Sequence, residues 1–143
     1  MRIAIASDPA AIVMKAALVE WLNEAGHEVM DLGPMTTDSV DYPDFGYKLA
    51  TEIAAGRAER GVVLCGSGIG ISIAVNRHPA CRCELVSEGL SAKLSREHND
   101  ANVIALGARL VGRENAKYCL CVFLKTPFGC YRPHARGDNT AAT

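Results

Sequence analysis

The chain has no excess of either charge: 15 Lys and Arg stand against 16 Asp and Glu, a formal net charge of −1. So even a balance offers no general attraction to nucleic acid or to an anionic membrane, and any anionic ligand must be held by a local set of donors. No apolar run approaches the roughly 20 residues that cross a bilayer. The β-prone start is cut by Asp8 before it reaches the length of a signal-peptide core, and the cytoplasm is the expected compartment. Among six cysteines no pair has the Cys-x-x-Cys spacing, which argues against a redox dithiol. Cys81 with Cys83 and Cys119 with Cys121 lack both the spacing and the histidines of a zinc knuckle, so reduced thiols and no metal are expected. Internal repeats and low-complexity tracts are absent.

What is present reads as alternation. Residues 2–7 (RIAIAS) form a short β-prone run, and residues 10–25 carry Ile12, Leu18, Val19 and Leu22 at helical spacing before Gly26 ends the helix. Residues 27–32 give a second strand, and 33–41 a polar loop. A helix over 44–56 then shows Phe45, Leu49 and Ile53 on one face. Residues 61–65 (GVVLC) are an unbroken apolar strand of the kind buried on both faces of a parallel sheet, with a helix from Ile71. Strands over 81–86 and 102–106 and helices over 87–98 and 113–124 complete five βα units. Such alternation predicts an α/β fold, a three-layer αβα sandwich around a five-stranded parallel, Rossmann-like sheet. A length of 143 residues fits one domain over 1–125 with an irregular tail over 126–143.

In an open parallel sheet ligands sit beyond the carboxyl ends of the strands, which brings forward Asp8, residues 65–70, Ser87 with Glu88, and Gly107 to Arg109. The Gly66-Ser67-Gly68-Ile69-Gly70 loop fits either an anion cradle, with N–H groups and a helix N-terminus aimed at the ligand, or a plain tight turn. A dinucleotide fingerprint would need glycine where Ile71 stands, and no Lys-Ser or Lys-Thr pair closes the loop, so NAD and nucleoside triphosphates are disfavoured. Cys65 fits an activated thiolate facing a helix N-terminus or an inert core residue. His98 fits a proton-transfer group or a helix C-cap. Arg132 and Arg136 fit a phosphate clamp or a solvated basic end, with Arg109 a third candidate. His27 and His78 read as surface residues.

Several runs in order coincide with one family: Asp8, Asp41-Tyr42-Pro43, CGSGIGISIA from Cys65, Ser87-Glu88, SREHNDAN from Ser95, and Gly107-Ala108-Arg109. Over residues 2–125 the chain resembles type B ribose-5-phosphate isomerase and its sugar-phosphate isomerase relatives, among them galactose-6-phosphate isomerase subunits. The resemblance implies a homodimer, or a dimer of dimers, with active sites shared across the subunit boundary. It implies cofactor-free interconversion of ribose 5-phosphate and ribulose 5-phosphate, with neither nucleic acid nor membrane as partner. Carried over residue by residue, Cys65 is the base and His98 with Asp8 opens the furanose ring. Ser67, Gly66, Gly68, Ile69, Gly70 and Asn99 supply donors to an enediolate, Tyr42 contacts the sugar, and Arg109, Arg132 and Arg136 hold the phosphate. Pro9 stands where the family usually has His, Cys130-Tyr131 where Gly-Gly is common, and Pro133 after the first tail arginine. These departures open the alternatives of an allose, galactose or erythrulose phosphate as substrate, or of a phosphosugar-binding protein without turnover.

Overall fold

The computed structural model describes residues 1–35 and 42–129, with the side chain of Tyr42 outside that description. Five strands, β1 (Arg2–Ser7), β2 (Glu28–Asp31), β3 (Arg60–Cys65), β4 (Cys83–Leu85) and β5 (Val103–Gly107), form one sheet in the order β2-β1-β3-β5-β4. Every pairing is parallel. The helices are α1 (Ile12–Glu24), α2 (Tyr42–Ala54), α3 (Ile69–Asn76), α4 (Gly89–Glu97) and α5 (Arg113–Lys125). The expected three-layer sandwich is the observed architecture.

Strand alternation divides the core in two. Ile3, Ile5, Val62, Leu64, Ile104 and Leu106 face α1, α4 and α5, meeting Leu18, Leu22, Leu120 and Phe123. The intervening Ala4, Ala6, Val63, Cys65 and Ala105 face α2 and α3. The second face is built from small side chains, so its helices lie close: a Cβ on Gly61 would come within 2.7 Å of Leu49 Cδ2. With both faces covered, the strands read as continuous apolar runs rather than alternating ones.

Element boundaries moved where side chains compete with the backbone. Residues 9–11 form a 3-10 turn ahead of α1, because the Asp8 carboxylate accepts the Ala11 N–H and Pro9 sits at a position whose N–H is not needed. Helix α4 starts at Gly89 and not at Ser87, since Glu88 is its N-cap and its carboxylate accepts from Ser91 N. Strand β4 is shorter than residues 81–86: Asn76 takes both the N–H and the carbonyl of Cys83, and Asn102 Oδ1 takes the Arg82 N–H. Helix α3 begins at Ile69, two residues early, because Gly68 at φ +79° turns the chain directly into it. His27 and His78 are half-buried rather than surface residues. His78 Nδ1 accepts from Ala80 N at 3.1 Å, closing a turn.

Lys15 is the largest unexpected core residue, 2 % exposed. Its ammonium donates to Asp31 Oδ1 at 2.8 Å and to the Pro34 carbonyl at 2.7 Å, and Asp31 Oδ1 also accepts the Gly33 N–H. The end of β2 is thereby tied to the first turn of α1, at the carboxyl edge of the sheet. Removing one member of a buried pair strands the other. Lys15→Ala is expected to lower unfolding stability by about 3 kcal/mol, read as a reduced urea midpoint with an unchanged slope.

Candidate active site

At the carboxyl edge, β1 and β3 are neighbours whose connections run to opposite sides, the place where an open α/β sheet leaves a crevice. A cleft of about 380 Å³ lies there, lined by Asp8, Ala10, Cys65, Gly66, Ser67, Gly70, Arg109 and Leu110. Three strand ends therefore contribute: Asp8 after β1, the 65–70 segment after β3, and Arg109 after β5. Ala10 and Leu110, its apolar walls, were not singled out from sequence. Their only signal was adjacency to Asp8 and Arg109.

The turn after β3 is built around the sulfur of Cys65. Gly68 N donates to Cys65 Sγ at 3.0 Å, and Ile69 N donates to Ser67 Oγ at 3.1 Å. Gly68 adopts the left-handed conformation in a place where a Cβ would lie 2.9 Å from the Leu106 carbonyl carbon. Gly107 is as tightly placed: a Cβ there would lie 2.5 Å from the Ser67 carbonyl oxygen. Two glycines from different strands thus let the β3 and β5 turns touch backbone to backbone. Ala108 N donates to the Cys65 carbonyl at 2.8 Å and Arg109 N to that of Gly66 at 2.9 Å, which fixes the contact.

Among the loop N–H groups expected to meet a ligand, those of Gly68 and Ile69 are already committed inside the turn. The N–H of Gly70, at the second position of α3, has no acceptor within the helix by its place in the first turn, and Gly70 lines the cleft. The positive end of α3 adds to it. Arg109 lies across Gly66, where a Cβ would be 3.4 Å from its Cδ and Nε, and forms no ion pair among the described residues. Asp8 uses Oδ1 to cap the 9–11 turn at 3.2 Å and lines the cleft. Carboxylate, sulfur, N–H and guanidinium, all at one cleft, suit a small anion whose other end undergoes proton transfer.

His98 and Asn99 are not brought to this cleft within one chain. His98 closes α4, its N–H donating to the Leu94 carbonyl, near the start of β5. Cys65 pairs with Gly107 and Gly61 with Val103, so four residues of β5, or about 13 Å, separate the two levels. Asn99 Nδ2 donates to Glu84 Oε1, and its carbonyl accepts from Arg82 Nη1 at 3.4 Å. The side chain of Tyr42 and all of Arg132 and Arg136 lie outside the described residues.

The five described cysteines are unpaired, and no group of His, Cys, Asp and Glu among the described residues is placed to hold a metal ion. No helix among them is long and apolar enough to cross a membrane. Burial pushes the Cys81 thiol up to about 11 and raises that of Cys83, with the charge of Cys81 adding to the latter. Because the thiolate is the nucleophile, a raised value leaves both groups protonated and inert at pH 8. Iodoacetamide at that pH is expected to leave Cys81 and Cys83 unmodified in peptide maps of the folded protein and to label both in urea.

Comparison with known proteins agrees with the geometry. The Ribose/Galactose Isomerase family model matches residues 3–139. Ribose-5-phosphate isomerase B of Escherichia coli is 41% identical over 123 residues, 86% of this chain and 83% of that protein. D-erythrulose-4-phosphate isomerase of Pectobacterium atrosepticum is 39% identical over 129 residues, 90% of this chain and 85% of that protein. The structure of ribose-5-phosphate isomerase B from Clostridium thermocellum superposes with a TM-score of 0.96 at 41% identity, covering 99% of this chain and 96% of that one. With its strand-end cleft, its glycine turn and a family match over nearly its whole length, the chain belongs to the ribose/galactose isomerase family.

Proposed function

We propose that the chain is an aldose–ketose isomerase of ribose 5-phosphate. The observation that carries this is the shared cleft of Cys65, Asp8, Gly70 and Arg109 at three strand ends. Isomerisation removes a proton from the carbon next to a carbonyl and leaves an enediolate whose oxygen needs preorganised donors. Cys65 takes the C2 proton of the open-chain aldose and returns it to C1. The Gly70 N–H and the Ser67 hydroxyl stabilise the oxyanion, helped by the α3 N-terminus. Gly66 gives Arg109 room to approach the far end of the sugar as a phosphate anchor, a role Arg132 and Arg136 share. Anchoring the phosphate fixes C1 and C2 against the sulfur, which converts binding into orientation. Tyr42 contacts the sugar beside Asp8.

Ring opening is assigned to His98 with Asp8, and His98 reaches the cleft from a second copy of the chain. Supporting this, α3 leaves Ile69 50% and Ile73 61% exposed, one helical turn apart on the helix whose N-terminus borders the cleft. Exposed apolar side chains in a row are what a subunit contact covers. A copy docked there lies beside the cleft, where its His98 and Asn99 complete the site and form the homodimer the resemblance implies.

Pro9 favours a second reading, in which the preferred sugar phosphate differs in length. Proline has neither a side-chain donor nor an N–H at the place where the family usually carries His, so one phosphate or hydroxyl contact is lost. The erythrulose phosphate relative at 39% identity shows how far sequences this similar diverge in named substrate.

Steady-state assays across ribose 5-phosphate, allose 6-phosphate, galactose 6-phosphate and erythrulose 4-phosphate are expected to give the highest kcat/KM with ribose 5-phosphate. A higher value with another sugar replaces that substrate assignment without touching the reaction type. Cys65→Ala is expected to lower kcat by at least about 100-fold, the lower end of what a positioned general base supplies, with cooperative melting retained; wild-type turnover in this variant removes Cys65 from the mechanism. Gly107→Ala, which pushes the Ser67 carbonyl out of place, is expected to reduce kcat/KM by at least about tenfold because the oxyanion donors move with it.

A further inference from the structure

Arg96 stands in the last turn of α4, two residues before His98, and is 3 % exposed. Its guanidinium is spent on three acceptors in two segments. Nη1 donates to Asp100 Oδ1 at 2.9 Å and to the Ala101 carbonyl at 2.6 Å, while Nε donates to the Thr126 carbonyl at the end of α5 at 3.1 Å. Its carbon lies 5.9 Å from the centroid of the Phe123 ring. A second cation, Arg60, lies close enough to be destabilised by it; burial first and the Arg96 charge second hold the Arg60 guanidinium below its ordinary value.

A buried guanidinium is a poor way to gain stability, since an apolar side chain of similar volume commonly does as well or better. What Arg96 supplies that an apolar group lacks is direction. Asp100 has φ +49°, the one non-glycine residue in the left-handed region among the described residues. That turn carries His98 and Asn99 between Arg96 itself and the Asp100–Ala101 step that its guanidinium grips, and the guanidinium is also anchored to the end of α5. Asn99 is further held by Glu84 and Arg82. The His98–Asn99 pair is therefore displayed from a clamped base, at an edge of the sheet far from the cleft of its own chain.

We propose that Arg96 is a positioning residue for the isomerisation. Through Asp100 and the Ala101 carbonyl it fixes the turn from which His98 is presented to the sugar ring. This rests on the proposed role of His98 in ring opening. Lysine at position 96 keeps the charge but has no planar fork to engage three acceptors on two segments.

The test is a double-mutant cycle on the full-length protein with ribose 5-phosphate. Arg96→Lys is expected to lower kcat about tenfold with KM within twofold of wild type, and His98→Asn to lower kcat further. The Arg96→Lys/His98→Asn double variant is expected to equal His98→Asn alone, because a residue acting through His98 has nothing left to position. Asp100→Asn, at a partly exposed site and with a residue type that tolerates the left-handed turn, is expected to lower kcat several-fold and likewise to have no effect in the His98→Asn background. If Arg96→Lys does not melt cooperatively, the Asp100 cycle decides alone. Wild-type kcat in a folded Arg96→Lys variant, or losses that multiply in the double variants, overturns the proposal for Arg96 and leaves His98 in place. Wild-type kcat in His98→Asn removes the ring-opening role and the proposal together.

Discussion

The site depends on one close approach, that of the backbone after β3 to the backbone after β5. Ser67 and Gly107 touch with no room for a Cβ, and Gly68 turns left-handed against Leu106. A side chain at either glycine would force the turns apart. With them apart, Gly68 N could no longer sit 3.0 Å from Cys65 Sγ, and Arg109 would leave Gly66. The chemistry-bearing groups come from strands far apart in sequence, so their mutual geometry is only as good as this contact. The sheet supplies the rest of the rigidity, since β1, β3 and β5 are buried on both faces and a packed interior does not deform continuously.

Much of this was legible from residues alone, for identifiable reasons. The unbroken apolar 61–65 run read as a strand covered on both faces, and β3 is buried on both. Strand-end placement then singled out Asp8, Cys65 and Arg109, which the fold brings to one cleft. Boundaries were less readable because side chains overrode the pattern: Glu88 capping α4, and Asn76 and Asn102 taking the polar groups at the start of β4. Lys15 was invisible because a charged residue in a helix normally marks its solvated side. Its burial follows from the Asp31 carboxylate and the Pro34 carbonyl, which no helical periodicity encodes. The separation of His98 from Cys65 was also beyond periodicity, which places a residue on an element but not at a height along the sheet.

That separation has a consequence for how the fold is used. In a parallel sheet each helix begins at the carboxyl edge and ends at the amino edge, so the two ends of every βα unit face opposite ways. Asp8, the 65–70 turn and Arg109 occupy the first edge, and the His98–Asp100 turn the second. A chain that needs both edges at one ligand cannot fold back on itself to join them, because the sheet between is rigid. Association with another copy solves this geometrically. In the proposed dimer the exposed isoleucines of α3, beginning at the mouth of the cleft, are the apolar surface that such association covers.

Under the proposed function Pro9 bears on which end of the sugar phosphate is held less firmly. It lies in the 9–11 turn capped by Asp8, next to Ala10 of the cleft wall. Pro9 offers no side-chain donor, while the guanidinium of Arg109 after β5 is unpaired by any carboxylate among the described residues. The proposed phosphate contacts are accordingly weighted toward the β3 and β5 turns and away from β1. In the proposed mechanism proton transfer rests on the Cys65 sulfur and the Gly70 N–H, which lie on the β3 side of the cleft. Under that proposal a change at position 9 acts on how long a sugar fits between Arg109 and the Cys65 sulfur, and leaves the β3 turn as the glycines set it.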